Sequence, residues 1–134
     1  MERGEIVNKA RAQQLRDFSG LQFERGITPT DIDGSVDFGG KLFMFVETKF
    51  KGTPLPKGQR LHLENLVKDH QSPAVAYITE HETPIGEVIP MARTIVKERY
   101  SNTQIKPRWI YPENDILQLR DTMDRFKKYI EGNK

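Results

Sequence analysis

Residues 42–50 read LFMFVETKF, and this stretch decides the fold. Its first five residues are all apolar, which is typical of a strand buried on both faces in the middle of an α/β sheet. Side chains alternate along a strand, so Glu47 and Lys49 continue the face of Phe45, whereas Thr48 lies on the other face. Charges on such a face are costly unless they are paired or bound to a metal.

The preceding residues predict a β-hairpin over residues 31–50. The Gly39-Gly40 pair is a strong signal for a tight turn between two β-rich runs. In the first run, Asp31 and Asp33 differ by two positions and therefore point to one face. Cross-strand neighbours have Cβ atoms about 5 Å apart, so a carboxylate of this run can lie beside Glu47.

The length of the turn leaves two registers open. A three-residue turn pairs Asp33 directly with Glu47 and sets Asp31 opposite Lys49. A two-residue turn makes Asp31 and Asp33 diagonal neighbours of Glu47, one on either side. Asp33 is adjacent to Glu47 in both registers, so it is the first candidate for a metal ligand. Asp31 is an additional candidate.

Two carboxylates at this spacing can share a small hard cation. Mg²⁺ takes one or two carboxylates, keeps several waters and leaves positions for phosphate oxygens. Such a metal polarises a scissile phosphate and activates a bound water. Lys49, on the same face as Glu47, can neutralise the charge that builds up on the phosphate. The sequence therefore predicts a Mg²⁺ or Mn²⁺ site at Asp33 and Glu47, with Lys49 as a catalytic residue.

Asp33, a strand turn and then Glu47-Thr48-Lys49 resemble the D…ExK signature of the PD-(D/E)XK nuclease superfamily. The match covers roughly residues 28–78, and TPTDIDG followed by VETK and GQ resembles small phage and bacterial members in particular. The resemblance implies an α/β fold with a restriction-endonuclease-like αβββαβ core, in which helices flank a mixed central sheet. It also implies Mg²⁺-dependent hydrolysis of phosphodiester bonds in DNA.

The same resemblance implies a catalytic role for Gln59, because several branches carry a glutamine on the helix after the ExK motif. Some exonuclease branches have a tyrosine four residues after that glutamine, where this chain has Leu63. This difference favours an endonuclease. A second hypothesis is a non-catalytic nucleic-acid-binding or assembly protein on the same fold. The sequence leaves open the structure of the substrate and whether the protein acts as a homodimer.

The remaining patterns predict one domain over residues 1–134. Helices are predicted over residues 5–17, 59–69 and 113–131, a buried strand at residues 74–79, and one or two strands within residues 84–112. The inward positions of the second helix are Leu63, Leu66 and Val67. Those of the last helix are Ile116, Leu119, Met123, Phe126 and Ile130.

Composition excludes several classes of protein. The chain has 134 residues, with 36% hydrophobic and 30% charged, which is a globular balance. Its longest apolar run, Leu42–Val46, is far shorter than the roughly 20 residues that cross a bilayer. The first ten residues lack the apolar core of a secretory signal. The absence of cysteine fits a reducing cytoplasm. The resemblance implies that this is the cytoplasm of a bacterial host, for a bacterial or phage protein.

The net charge of +2 permits DNA binding without favouring it, so DNA contacts are predicted from local arrangement. The candidates for contacts to DNA are Lys51, Lys57, Arg60, His62, Arg93, Lys97 and Arg99. Segment 93–111 mixes cations with aromatic residues, as in a surface that grips a strand. A solvated face with Trp109 and Tyr111 in the core is an equal alternative. His70 and His81 lack partners at metal-ligand spacing and are predicted to be surface residues.

Overall fold

The computed structural model describes residues 17, 19–26, 31–112 and 117–132. The chain divides into two compact units, Met1–Asp31 and Ile32–Lys134. In the first unit, Glu24–Gly26 form a 3₁₀ turn. The hydroxyl and backbone N–H of Ser19 donate to the Asp17 carboxylate and hold its pKa below the ordinary value. The helix predicted over residues 5–17 lies outside the described residues except for its last position.

The second unit contains an open five-stranded sheet with two helices. Its strands are β1 (Gly34–Asp37), β2 (Phe43–Phe50), β3 (Ala74–His81), β4 (Ile95–Ser101) and β5 (Trp109–Ile110), in that order across the sheet. Only β2 and β3 pair in parallel among them, and the other neighbours are antiparallel. The helices are α1 (Lys57–Lys68) and α2 (Leu119–Gly132). The predicted α/β class with a mixed sheet is confirmed.

The β1–β2 hairpin turns at its two glycines. Gly39 and Gly40 have φ of 65° and 77°, a conformation that side chains with a Cβ rarely adopt. The Asp37 carboxylate accepts a hydrogen bond of 2.6 Å from the N–H of Gly40 and closes the turn. Gly34 pairs with Val46, which is the register expected for the three-residue turn. The first strand was predicted to start at residue 31, and this is wrong because β1 begins only at Gly34.

The sheet carries one apolar cluster on each face. The α2 face packs Met44, Val46, Tyr77 and Phe126 together, with partly buried Met123 and Ile130 against them. The α1 face packs Phe45, Leu63, Val67, Ala76 and Ile78 together, with partly buried Leu66 beside them. The inward positions predicted for α1 and α2 are therefore confirmed, apart from Ile116, which lies outside the described residues.

Helix α1 connects the two parallel strands and must therefore run back along the sheet. Its first turn lies at the carboxyl ends of β2 and β3, because Arg60 contacts Glu98 of β4. At the other end of α1, the His70 ring packs against Phe43 in a tilted arrangement, with ring centroids 4.4 Å apart. His70 is half-buried, and the expectation of a surface histidine is wrong because this ring packs beside the aromatic start of β2.

The order β1–β2–α1–β3 occupies the stretch in which the expected core has ββαβ. The helix and strand that would precede it fall before Asp33. Residues 19–26 of that segment form turns and no strand, and residues 1–16 and 27–30 lie outside the described ranges. None of the described helices has the length and apolar character to cross a bilayer.

Candidate metal and catalytic site

Asp33 lies directly before β1. Its side-chain carboxylate, in place of a backbone carbonyl of β1, accepts a hydrogen bond from β2. Its Oδ2 accepts a hydrogen bond of 2.7 Å from the backbone N–H of Thr48. Extending the β1–β2 register by one residue brings Asp33 level with Glu47. The Asp33 side chain is exposed. The structure thus fixes one carboxylate oxygen at the strand edge, next to the second predicted ligand.

Glu47 lies on the α1 face of β2, where the apolar cluster ends. The residue is only 7% exposed, and its parallel neighbour in β3 is Ile78. Phe45 precedes it on the same face and belongs to the α1-side cluster. The prediction that Glu47 continues a buried face is confirmed.

Lys49 follows on the same face and pairs with an acidic residue of the neighbouring strand. Its ammonium is 3.4 Å from Oε2 of Glu80, its neighbour in β3, and the two side chains are 19% and 16% exposed. The other oxygen of Glu80 lies 3.9 Å from the ammonium of Lys97 in β4. Glu80 therefore holds Lys49 in a row of alternating charges that crosses three strands.

Glu80 is a site residue that the sequence analysis missed. Its signal was present, because β3 pairs in parallel with β2 and alternation puts residues 76, 78 and 80 on one face. What the sequence did not supply was the register, Lys49 opposite Glu80. Without that register, Glu80 is one of several charges at the end of a strand.

The opposite face of β2 is fixed at the same level. The hydroxyls of Thr48 and Thr79 lie 2.8 Å apart, and the Thr48 hydroxyl also reaches Sδ of Met91 at 3.4 Å. These contacts hold the backbone between Glu47 and Lys49 from behind. The two charged side chains therefore project from a strand segment with little freedom to twist.

Gln59 lies in the first turn of α1, at the same end of the sheet as Glu47. It is half-buried and precedes Leu63 and Val67 by one and two turns, so it shares their sheet-facing stripe. The first N–H groups of a helix carry partial positive charge, which favours an anion nearby. The structure thus places Gln59 on the side of α1 that faces the sheet, at the end where the candidate site lies.

Arg60 is engaged within the protein. Its guanidinium donates two hydrogen bonds of 2.7 Å to the buried Glu98, and these bonds raise the pKa of Arg60. It also lies over the Trp109 ring, 4.9 Å from the centroid. Trp109 in turn packs on Tyr100. This arrangement clamps α1 to β4 and β5, and a DNA contact by Arg60 stays a prediction.

The other predicted DNA contacts fall into separate places. Lys51, Arg93 and Lys97 line one cleft with Glu80, beside Lys49. Arg99 instead lines a cleft with Phe126 of α2, so it lies on the opposite face from Glu47.

Three further candidates are not brought against this cluster by any described contact. Lys57 is exposed and His62 is half-buried on α1. Asp31 belongs to the first unit. His81, half-buried rather than on the surface, lines the cleft with Lys51, and its Nδ1 accepts a hydrogen bond from the N–H of Thr83.

At this edge of the sheet, the predicted metal ligands are the carboxylates of Asp33 and Glu47. Within residues 17, 19–26, 31–112 and 117–132, no group of three or more His, Cys, Asp or Glu side chains could hold a metal ion. A site with Asp33 and Glu47 would depend on water and substrate for its other ligands. Mg²⁺ is commonly bound in this way, through one or two carboxylates and phosphate oxygens.

Comparisons with known proteins add no relative to this description. No family model, no curated protein and no solved structure matches the chain significantly.

Proposed function

We propose that the protein is a Mg²⁺-dependent nuclease of the PD-(D/E)XK type that hydrolyses phosphodiester bonds in DNA. The observation that carries the proposal is the position of Asp33. Its carboxylate accepts from the Thr48 N–H, and the β1–β2 register extended by one residue pairs it with Glu47, in the residue order D…ExK. The order β1–β2–α1–β3 supports it, because a restriction-endonuclease-like core would have this order over the same stretch. Internal cleavage in the cytoplasm of a bacterial cell is part of the proposal.

The residues present fit a hard divalent cation. Oδ2 of Asp33 is held by the Thr48 N–H, and the exposed carboxylate can offer its other oxygen. Glu47 provides a second carboxylate from a nearly buried position. Sulfur and imidazole ligands are absent from this pair, which selects Mg²⁺ or Mn²⁺ over zinc or copper. When bound, the cation would supply Lewis-acid activation of the phosphate and of a water molecule.

The protein groups divide the remaining work. Asp33 and Glu47 would hold the cation at the end of the sheet. Lys49 would place a positive charge against the phosphate as negative charge accumulates there, which is most effective where water is largely excluded. Glu80 limits the positions open to the Lys49 ammonium. Gln59 would orient water or phosphate from the start of α1.

One experiment tests the proposal most directly. The protein is incubated with Mg²⁺, Mn²⁺, Ca²⁺ or EDTA and a panel of linear, circular, branched and single-stranded DNAs. Cleavage is expected with Mg²⁺ and Mn²⁺, including cleavage of closed circles, whereas Ca²⁺ supports binding without turnover. Full activity in excess EDTA would remove the metal mechanism. Digestion restricted to linear DNA would replace the endonuclease with an exonuclease.

The matched variants are Glu47→Gln and Glu87→Gln. Glu47→Gln removes a ligand and keeps the side-chain volume, so turnover is expected to collapse while the fold remains. Glu87 is exposed in the loop before β4, and its neutralisation should leave turnover unchanged. The alternative is a non-catalytic nucleic-acid-binding or assembly protein. It predicts binding without cleavage under every condition and no dependence of Mn²⁺ affinity on Glu47.

A further inference from the structure

We propose that the cleft beside Lys49 binds the sugar–phosphate backbone of a single DNA strand, next to the phosphate that is cut. The inference rests on the proposed function for its substrate class. It adds the direction in which the strand leaves the metal site, towards the ends of β2 and β3. It also assigns Lys51, Arg93 and Lys97 one common role.

The cleft has a volume of about 510 Å³. It is lined by Lys51 after β2, by Glu80 and His81 of β3, by Arg93 in the 3₁₀ turn before β4, and by Lys97 of β4. Lys51 is distant in sequence from Arg93 and Lys97, and the sheet brings the three cations to one opening. Such convergence of cations is what a row of phosphates requires.

The cleft is linked to Lys49 of the candidate site through Glu80. Glu80 lies in the cleft wall and contacts both Lys49 and Lys97. Lys51 follows the end of β2 and pairs with Glu82, two residues beyond the Glu80 that pairs with Lys49. A strand held at Glu47 and Lys49 can therefore continue over Lys51 without crossing the sheet.

The acidic residues in the cleft do not close it to phosphate. Lys51 pairs with Glu82 at 3.0 Å, but the two side chains are 66% and 70% exposed. Exposed pairs of this kind contribute little to stability, so a phosphate can replace the carboxylate. Glu80 lies beside two ammonium groups, those of Lys49 and Lys97, so its negative charge is already balanced. Arg93 is exposed and forms no ion pair with any residue in the described ranges.

The size of the cleft is in the range that holds a short piece of a single strand. Its volume falls within the roughly 300–1,000 Å³ of pockets that enclose a small ligand. A short piece of one strand fits that space, whereas a duplex would have to lie across the opening. Contacts to phosphate carry no sequence information, so binding here should be independent of base sequence.

The test measures the salt dependence of binding in Ca²⁺. A fluorescent single-stranded oligonucleotide is titrated with wild type, Lys51→Ala and Arg93→Ala between low and physiological salt. The matched controls are Lys68→Ala, at the exposed end of α1, and Arg120→Ala, on α2. Each cleft variant should reduce the slope of log K against log salt by about 0.7, the loss of one phosphate contact on a single strand. The two control variants should keep the wild-type slope.

Three outcomes would overturn the proposal that the cleft binds a single DNA strand. One is a wild type that does not bind the oligonucleotide, and another is an equal loss of slope in Lys68→Ala. The third is a loss of slope only with duplex DNA, which would assign these cations to a duplex surface. The proposed function fails separately. If wild type binds the oligonucleotide through the cleft but cuts no DNA with Mg²⁺ or Mn²⁺, the proposed binding role of the cleft is supported and the proposed nuclease activity is refuted.

Discussion

At the residue scale, the proposed function gives Asp33 two roles, because one of its oxygens accepts a hydrogen bond at the sheet edge and the other would serve the cation. Asp33→Asn keeps an oxygen that can accept from the Thr48 N–H, so the hairpin should survive. The charge needed at the metal is lost. Changes to the hydrogen-bonding partners of a ligand cost roughly 10–100-fold, and loss of the ligand itself should cost more.

The comparison that checks this is Asp33→Asn against Asp31→Asn. Cleavage rates in Mg²⁺ should fall to background in the first variant and by a smaller factor in the second. Circular dichroism should show the wild-type spectrum for both. An inactive Asp31→Asn beside an active Asp33→Asn would give the metal to the other aspartate.

Glu80 is expected to act through Lys49 as a positioning residue. Glu80→Gln keeps the shape and removes the charge that faces the ammonium at 3.4 Å. We expect kcat to fall roughly 10-fold with KM nearly unchanged, because the charge on the phosphate is largest in the transition state. Steady-state kinetics on a defined DNA substrate measure both constants, with Glu87→Gln as the control.

A double-mutant cycle separates this role from a general effect on folding. Once Lys49 is replaced by alanine, Glu80→Gln should cause little further loss. Losses that multiply in the double variant would mean that Glu80 acts independently of Lys49.

At the scale of elements, the glycine in the β1–β2 turn needs a backbone conformation that other residues rarely adopt, whereas the glycine at the start of α1 does not. Gly40 has φ of 77°, so Gly40→Ala is strained although the space around it is open. The variant should lose about 1–2 kcal/mol of unfolding free energy. Gly58 in α1 has an ordinary φ and open surroundings, and Gly58→Ala should gain about 0.4–1 kcal/mol.

Chemical denaturation of the two variants checks this pair. Equal effects of the two alanines would show that backbone conformation is not what distinguishes the sites.

Local pattern predicted the elements well and their partners poorly. Alternation in residues 42–50 was enough to place Glu47 and Lys49 on one face, and Gly39-Gly40 was enough to locate the turn. The exact start of β1 was missed, because a carboxylate side chain takes the place of a backbone acceptor at Asp33. The pairs Lys49–Glu80 and Arg60–Glu98 depend on sheet order and register, which no single segment encodes.

For the whole molecule, the α2-side core contains a group that sets a limit on alkaline stability. The Tyr77 hydroxyl is buried and has no hydrogen-bond partner within the described ranges. Burial raises the pKa of Tyr77 well above its ordinary value, against a smaller opposing effect of Arg99. The unfolded chain therefore releases this proton first. Up to about pH 10 the ionisation of Tyr77 leaves the unfolding free energy unchanged, and above that pH it lowers the unfolding free energy until the folded-state pKa is passed.

Tyr77→Phe should remove this dependence. At pH 7 its unfolding free energy should equal or exceed that of wild type, because a buried hydroxyl without a partner is itself costly. Above pH 10, wild type should lose up to about 1.4 kcal/mol per pH unit more than the variant. Urea denaturation from pH 7 to 11 measures both, with exposed Tyr111→Phe as the control. Parallel alkaline curves for wild type and Tyr77→Phe would contradict the assignment.

The hydrogen bond from Thr48 to Asp33 gives the molecule a built-in reporter. A cation that draws on the Asp33 carboxylate must alter the electron density or the position of the acceptor that serves this one amide. In a ¹⁵N–¹H correlation spectrum, the Thr48 cross-peak should therefore move on titration with Mg²⁺, and its hydrogen-exchange rate should change with it. A still Thr48 signal under saturating Mg²⁺ would place any bound cation away from Asp33. Binding of a cation at Asp33 could thus be followed through the Thr48 backbone amide, without substrate or turnover.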